Sequence, residues 1–498
     1  MSFFARIRAA MPGAEQVFLE TANGSVTYGD AFARSGQIAN VLWDAGLRPG
    51  DRLIVQTEKS AEVLLLYLAC LRAGAVYLPL NTAYTLAELE YFLQDAEPRI
   101  VVVSPDREET IAPLARRHGA RAVFTLGSSD GTLPQRANAM QTAFDDVKRE
   151  DGDLGAILYT SGTTGRSKGA MLTQRNLASN AAVLKAFWHF TQNDVLLHAL
   201  PLYHAHGLFT ATNTVLMAGA SMILLPKFEV DPVFAALPRA TVMMGVPTYY
   251  LRLLQDERLT RETAAHMRLF VSGSAPLLAE THREFCARTG HAILERYGMS
   301  ETNMIASNPY DGERVAGTVG MPLPGIELRI AEAETGSLLP PGEIGVVELR
   351  GPNVCAGYWR MPDKTRSEFR SDGFFITGDL GMIDRRGYLQ LVGRAKDLVI
   401  SGGLNVYPKE VEAEIDALPG IVESAIVGLP HADLGEAVVA IVVLREGAVL
   451  SEADLLDALR DRLAKFKLPK RVIFVDHLPR NAMGKVQKNI LRDTYRAL

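Results

Sequence analysis

Cysteine is scarce: Cys70, Cys286 and Cys355 are the only three in 498 residues. An odd, scattered set without paired spacing offers neither a disulfide framework nor a zinc site, and reads as small buried hydrophobes in a reducing compartment. Long apolar runs are missing too. The longest, residues 63–71, stops at Arg72, about half of what a membrane span needs. Residues 1–13 carry Arg6 and Arg8 but no apolar stretch fit for a signal peptide. Nor is there a surplus of basic charge, since 52 Lys and Arg against 57 Asp and Glu leave a formal charge of −5. That balance argues against a general nucleic-acid or membrane-surface binder, either of which favours a basic face. Repeats and low-complexity tracts are absent as well. The expectation is a cytoplasmic protein with no nucleic-acid, membrane or obligate protein partner.

What is present is ordinary globular material, 48% hydrophobic and 22% charged. The length exceeds what one hydrophobic core organises, so at least two domains are expected. Residues 60–72 read as a buried helix and 75–80 as a strand. Short apolar runs at 99–104, 154–159, 221–225, 241–246 and 269–272 are each followed by a turn and a helical pattern, the signature of wound α/β layers. From Gly317 the texture changes to short alternating segments (326–330, 345–350, 387–392) split by Gly and Pro, which predicts an antiparallel, barrel-like β region. After Arg394 come an amphipathic helix at 409–418, strands at 421–427 and 437–444, and a helix at 455–463 introduced by the capping pair Ser451 and Asp454. The fold class is therefore α/β. A large domain over 1–393, with two wound α/β subdomains and a barrel-like one, precedes a small mobile α/β domain over 394–498.

Five segments carry chemistry. The strongest runs from Tyr159 through Thr160, Ser161, Gly162, Thr163, Thr164 and Gly165 to Lys168. Its glycines let the backbone curl so that N–H groups face an anion, the hydroxyls add donors, and Lys168 adds a charge. A polyphosphate suits such a loop, although the G-x-x-x-x-G-K-[ST] spacing of the Walker motif is absent. The second is Glu295, Arg296, Tyr297, Gly298, Met299, Ser300 and Glu301, whose final carboxylate is a reasonable magnesium ligand. The third, Thr377-Gly378-Asp379, places a carboxylate able to accept from two ribose hydroxyls. The fourth runs from Gly393 through Arg394, Lys396 and Asp397 to Ser401, Gly402 and Gly403. The fifth, residues 478–485, ends on Lys485, which alone would read as a surface lysine.

Together, YTSGTTGRSKG, ERYGMSET, TGD, GRAKDLVISGGLNVYP and LPRNAMGK resemble, in order and over essentially the whole chain, the acyl-adenylate-forming superfamily of acyl-CoA synthetases, luciferases and adenylation domains. The resemblance implies an ATP- and Mg2+-dependent ligase with coenzyme A as co-substrate. It places the 160–168 loop and Lys168 on the β- and γ-phosphates, Ser300 on the α-phosphate and Glu301 on the metal. Gly273, Ser274, Ala275 and Pro276 would lie against adenine, Arg296, Tyr297 and Gly298 would be further nucleotide-binding residues, and Asp379 and Arg394 would hold the ribose. Lys485 would reach the reacting carboxylate, Lys396 would be the hinge, and Ser401, Gly402 and Gly403 would line the pantetheine path. Some relatives are switched off by acetylation of the matching lysine, so an acetyltransferase and deacetylase acting on Lys485 are implied partners.

Within the superfamily, residues 200–208, 245–252 and 271–276 are most similar to malonyl-CoA synthetases. Relatives commonly carry an aromatic or apolar residue two after the gating His204. Here that residue is His206, which suits a short charged acid better than a fatty chain. A dicarboxylate also needs a buried cation, for which Arg252 and Arg283 are the candidates, beside Ser272 and Met299 as pocket residues. Malonate, with methylmalonate tolerated, is the expected acid. A medium-chain or aryl-acid CoA ligase and a stand-alone enzyme loading a carrier protein remain open alternatives.

Overall fold

The structure, a computed structural model, describes residues 1–128, 130–160, 167–402, 404–431, 433–460, 462–481 and 484–496. Two wound sheets form its larger part. Apolar, β-branched runs such as Ile100–Val103, buried at every position, have no polar face to offer water and become interior parallel strands. One sheet orders Ala122–Thr125, Ile100–Val103, Arg52–Gln56, Val76–Pro79 and Leu154–Thr160 in parallel, with Lys168–Thr173 antiparallel at its edge. The other places Leu294–Met299, Leu269–Ser272, Val242–Gly245, Val195–His198, Ser221–Leu224 and Val17–Thr21 side by side in parallel. Helix Ala61–Arg72, buried from Val63 onward, is apolar all round because protein surrounds it.

The antiparallel region expected after Gly317 is a meander of four strands, Glu327–Ala331, Gly345–Arg350, Phe375–Ile383 and Leu389–Arg394, whose path does not close among the described residues. The last strand leads through the short turn Ala395–Asp397 into a five-stranded sheet with its own core of Val411, Ile415, Ile426, Val438 and Leu455. Most expected elements recur within a few residues of their sequence positions. The main departure is the hairpin Ile421–His431 with Gly435–Leu444, longer than either apolar run because backbone pairing continues from Leu429 to His431. Helix Glu452–Arg460 begins earlier than its apolar residues suggest, since Ser451 and Asp454 cap it reciprocally.

The N-terminal helix Phe3–Ala10, which no motif announced, packs on helices Asn213–Ala218, Gln174–Phe187 and Ala61–Arg72, the last of which bears a buried cation. Arg72 is 1% exposed, donates to Asp146 at 2.6 Å and to the Phe32 and Phe144 carbonyls, and stacks over the Phe32 ring at 4.1 Å. Replacing it leaves Asp146 with Arg8 alone and strands two carbonyls. Arg72→Met is expected to destabilise the larger domain by about 3 kcal/mol, read as a fall in thermal midpoint at unchanged Lys485-region chemistry. A midpoint equal to the parent's would mean the cation is dispensable.

Candidate active site

The C-terminal ends of the second sheet's strands, the four-stranded meander and the small domain converge on one cleft. Its floor is Asp379, 4% exposed on strand Phe375–Ile383. Asp379 Oδ1 pairs with Arg394 Nε at 2.5 Å, its other oxygen accepts from the Tyr297 hydroxyl, and its N–H donates to Thr377 Oγ1 at 3.0 Å. Register places Asp379 opposite Arg394 on neighbouring strands, so the pair is a cross-strand contact built by the fold.

Thr160 Oγ1 and the Tyr358 hydroxyl both donate to Glu301 Oε1, at 3.3 and 3.1 Å. Lys168 lies alongside, 3.5 Å from Glu368 and 4.4 Å above the Tyr358 ring. Ser161, Gly162, Thr163, Thr164 and Gly165 lie outside the described residues, as does Gly403. The described groups fit Mg2+, which favours one or two carboxylates plus phosphate oxygens over an all-protein cage; Glu301 is such a carboxylate.

Beyond Asp379 the cleft narrows among polar atoms that have no partner. Strand Leu269–Ser272 ends at Gly273, where an added Cβ would fall 2.4 Å from Arg296 Cζ, so only glycine lets that guanidinium lie against the backbone. Ser274 holds a left-handed φ of 71°, and its Oγ meets His206 Nδ1 at 3.2 Å. Arg296 Nε and Nη2, Ser272 Oγ, His204 Nε2 and His206 Nε2 are all buried and unpaired within the protein. Ala275 and the exposed Pro276 continue this strip toward solvent, and Gly298, Met299 and Ser300 close the strand opposite, half-buried.

Burial separates the charges of these groups. It pushes the His204 imidazolium down to about 4, and burial beside Arg296, His198 and His204 drives His206 well below the usual histidine range. Both are neutral near pH 7. Burial also lowers Arg296, opposed by Tyr250 and Glu295, but only to about 9, so it keeps its charge. The inner pocket thus holds one buried guanidinium and two neutral imidazoles. Sequence reasoning had filed Arg296 with the nucleotide and looked to Arg252 and Arg283. Arg283 is exposed on helix Ala279–Thr289. Arg252 lines a separate cavity of about 290 Å³ with Lys59, Tyr203, Phe228 and Tyr249.

Lys485 arrives from the small domain. Gly484 rests on the helix Pro247–Leu254, its position for a Cβ 3.1 Å from Thr248 Oγ1, and the loop is tied by Asn481 Oδ1 accepting from Lys485 N at 3.0 Å. The Lys485 side chain is reached by water at the cleft mouth, yet protein crowds it from both domains. Burial and the nearby Arg394 push its ammonium down to about 8, against Asp379 and Asp397. Lys396 is exposed on the connecting turn, and Asp397 beside it pairs with Arg492 at 2.9 Å. Ser401 pairs with Leu404 and Gly435, and Gly402 N donates to the Leu434 carbonyl at 2.9 Å, all within the small domain.

Comparison with known proteins agrees with this geometry. The AMP-binding enzyme family matches residues 5–359, and the AMP-binding enzyme C-terminal domain matches 410–485. The chain belongs to the AMP-binding enzyme family. The mitochondrial malonate–CoA ligase ACSF3 of Mus musculus is 36% identical over 530 residues, covering 98% of this chain and 90% of that protein. The crystal structure of ATP-bound MatB from Rhodopseudomonas palustris is 60% identical, covers 100% of this chain and 99% of that one, and superposes with a TM-score of 0.98. The apo form of the same MatB, at 60% identity and the same coverage, reaches only 0.87. At equal identity, this AMP-binding enzyme superposes more closely on the ATP-bound form than on the apo form. No described helix is long and apolar enough to cross a membrane.

One titration follows from the strand that bears Arg296. Glu295 Oε1 accepts from Leu277 N at 3.1 Å while Oε2 is unpaired, and burial raises this carboxyl to about 7. An unfolded glutamate releases its proton near ~4.3, so the folded chain binds more protons between these values and loses stability as pH rises through that window. Glu295→Gln lacks this loss. Its stability relative to the parent is expected to rise by roughly 1–3 kcal/mol between pH 5 and pH 8, followed by denaturant titration. A pH-independent gap would assign the proton elsewhere.

Proposed function

We propose that the protein is an AMP-forming acyl-CoA synthetase that joins malonate, with methylmalonate tolerated, to coenzyme A through an acyl-adenylate. The observation that carries the dicarboxylate is the Arg296 guanidinium, buried with Nε and Nη2 unpaired beside neutral His204 and His206. A buried cation without a counter-ion is costly, and a second carboxylate on the acid satisfies it in a planar fork. A fatty or aryl acid leaves it bare. The relatives named for malonate support the same reading.

In the first half-reaction the other carboxylate attacks the α-phosphorus of ATP, forming the acyl–phosphate bond as pyrophosphate leaves. The residues divide that work. Lys168 and the loop Thr160–Gly165 cradle the departing phosphates, and Ser300 faces the α-phosphate. Asp379 and Arg394 orient the ribose, Gly273 to Pro276 with Tyr297 and Gly298 bracket the adenine, and Lys485 offsets charge on the attacking carboxylate. Mg2+ held through Glu301 would neutralise the phosphate oxygens. In the second half-reaction the coenzyme A thiol attacks the acyl carbon, forming the thioester as AMP leaves.

Lys485 and Gly402 belong to the same small domain, and of the two it is Lys485 that lies beside Arg394 and Asp379. The reading therefore divides the chain at 393/394, with Lys396 as hinge, and gives the small domain a second pose that brings Ser401, Gly402 and Gly403 to the pantetheine. Acetylation of Lys485 by a lysine acetyltransferase, reversed by a deacetylase, would remove the charge adenylation uses. A cytoplasmic location fits a reduced chain of this composition.

Pyrophosphate release with ATP and Mg2+ across malonate, methylmalonate, acetate, hexanoate and coumarate, with and without coenzyme A, tests the function. Sustained turnover that needs coenzyme A and a dicarboxylate is expected; turnover with monoacids alone would overturn the substrate. Arg296→Met should lower kcat/KM for malonate by at least about 100-fold, more than Arg252→Ala or Arg283→Ala. If either of those proves the worst, the second carboxylate lies there instead.

Lys485→Ala, and protein acetylated at Lys485, should lose pyrophosphate release but still convert supplied malonyl-AMP with coenzyme A. In the parent, kcat/KM for ATP should fall as pH rises through about 8, where the ammonium deprotonates. Loss of both half-reactions in a folded variant would refute the two poses.

A further inference from the structure

Between the phosphate-side lysine and the metal-side carboxylate stands a tyrosine that no motif singled out. Residues 355–359 run as an extra strand along the edge of Lys168–Thr173. Ala356 N donates to the Met171 carbonyl at 2.9 Å, Met171 N to Gly357 at 2.9 Å and Trp359 N to Gly169 at 2.8 Å, with Tyr358 opposite Ala170. The segment's other end is tied to the carboxylate's own backbone, since Cys355 N donates to the Glu301 carbonyl at 2.7 Å. Tyr358 is further fixed by its N–H on Thr365 Oγ1 at 2.9 Å, and is 2% exposed.

This brace delivers one hydroxyl to both charges. Tyr358 Oη donates to Glu301 Oε1 at 3.1 Å and accepts from Lys168 Nζ at 3.4 Å, while its ring lies under the same ammonium at 4.4 Å. A phenol has one proton to give and lone pairs to receive with, so it can serve a carboxylate and an ammonium together without competing for either. Neither Glu301 nor Lys168 contacts the other directly among the bonds of the described residues. Their spacing passes through Tyr358.

We propose that Tyr358 is a positioning residue, holding Glu301 and Lys168 at one spacing so that a magnesium-bound triphosphate meets both at once. The proposal rests on the reading of Glu301 as the metal carboxylate and Lys168 as the phosphate lysine. It concerns preorganisation: without the hydroxyl, each charge must be ordered by the ligand, and binding loses the part that ordering consumes.

The test is calorimetric ATP binding with no acid present, with Mg2+ and with chelator, on the parent, Tyr358→Phe, Glu301→Gln and the double variant. Phenylalanine keeps the ring contacts, so a thermal midpoint within about 2 °C of the parent is expected. The ratio of ATP affinities with and without Mg2+ should fall about tenfold in Tyr358→Phe. In the Glu301→Gln background, Tyr358→Phe should add little to the change already made. An unchanged ratio, whether or not ATP binding weakens or the midpoint drops, marks a merely structural tyrosine and overturns the proposal. A parent that binds ATP equally with and without Mg2+ would instead bring down the assignment of Glu301, and the proposal with it. Normal magnesium dependence in the parent combined with additive effects in the double variant would leave the Glu301 assignment standing and refute Tyr358 alone.

Discussion

The ion pair of Arg394 with Asp379, 2.5 Å across two neighbouring strands, is the contact on which the rest of the cleft depends. Asp379 also accepts from Tyr297, so the meander is locked to the last parallel strand of the second wound sheet. Arg394 ends the meander's last strand, one residue before the turn that leads to the small domain. A cross-strand pair in a half-dry site is stronger than its exposed equivalent, because less water competes for either partner. Whatever direction the small domain takes starts from this fixed point. That is why Lys485, nearly a hundred residues further on, arrives within electrostatic reach of the same pair.

The cleft sorts its charges by burial. Lys168 faces Glu368, and Arg394 faces Asp379, so each is matched before any ligand arrives. Arg296 is not matched, and the adjoining histidines have been driven neutral by the same burial that leaves the guanidinium charged. Arginine's high intrinsic pKa is what makes this division stable. A lysine in the same place would lose its proton, and the pocket would become an apolar slot with polar edges.

Much of this was legible in the residues. Strand Leu269–Ser272 and the Ser451–Asp454 cap stand where hydrophobic pattern and capping chemistry placed them, because both signals are local. Glu301, Lys168, Asp379, Arg394 and Lys485, taken from five separate segments, do converge on one cleft. What sequence missed is non-local. Arg296 sits one residue from a tyrosine that faces the ribose-side carboxylate, and in a strand adjacent residues point to opposite faces. Only the fold shows that its side chain turns toward Gly273 and His206. Tyr358 lies 190 residues from Lys168, and its place depends on backbone pairing between segments whose sequences carry no mark of each other.

The proposed second pose of the small domain has a physical rationale in how its loops are placed. Lys485 and Gly402 belong to the same small domain: Arg480 and Val486 form an isolated bridge beside the lysine, and Ser401, next to Gly402, pairs with Gly435 in the five-stranded sheet. In the proposed reading the small domain turns as a unit and offers these loops to the cleft in turn. The exposed Ile400 and Leu404, which flank Gly402 and face water here, are the apolar surface such a domain would carry if a second docking buried it. The short turn Ala395–Asp397, with Lys396 in solvent, is where the proposed rotation would fall. Arg394 lies just before that turn, with Asp379 opposite it on the neighbouring strand, and neither need move in such a rotation. Under the proposed assignment of this pair to the ribose, that grip would persist while the residue facing the acyl group is exchanged, keeping the reactive mixed anhydride held throughout.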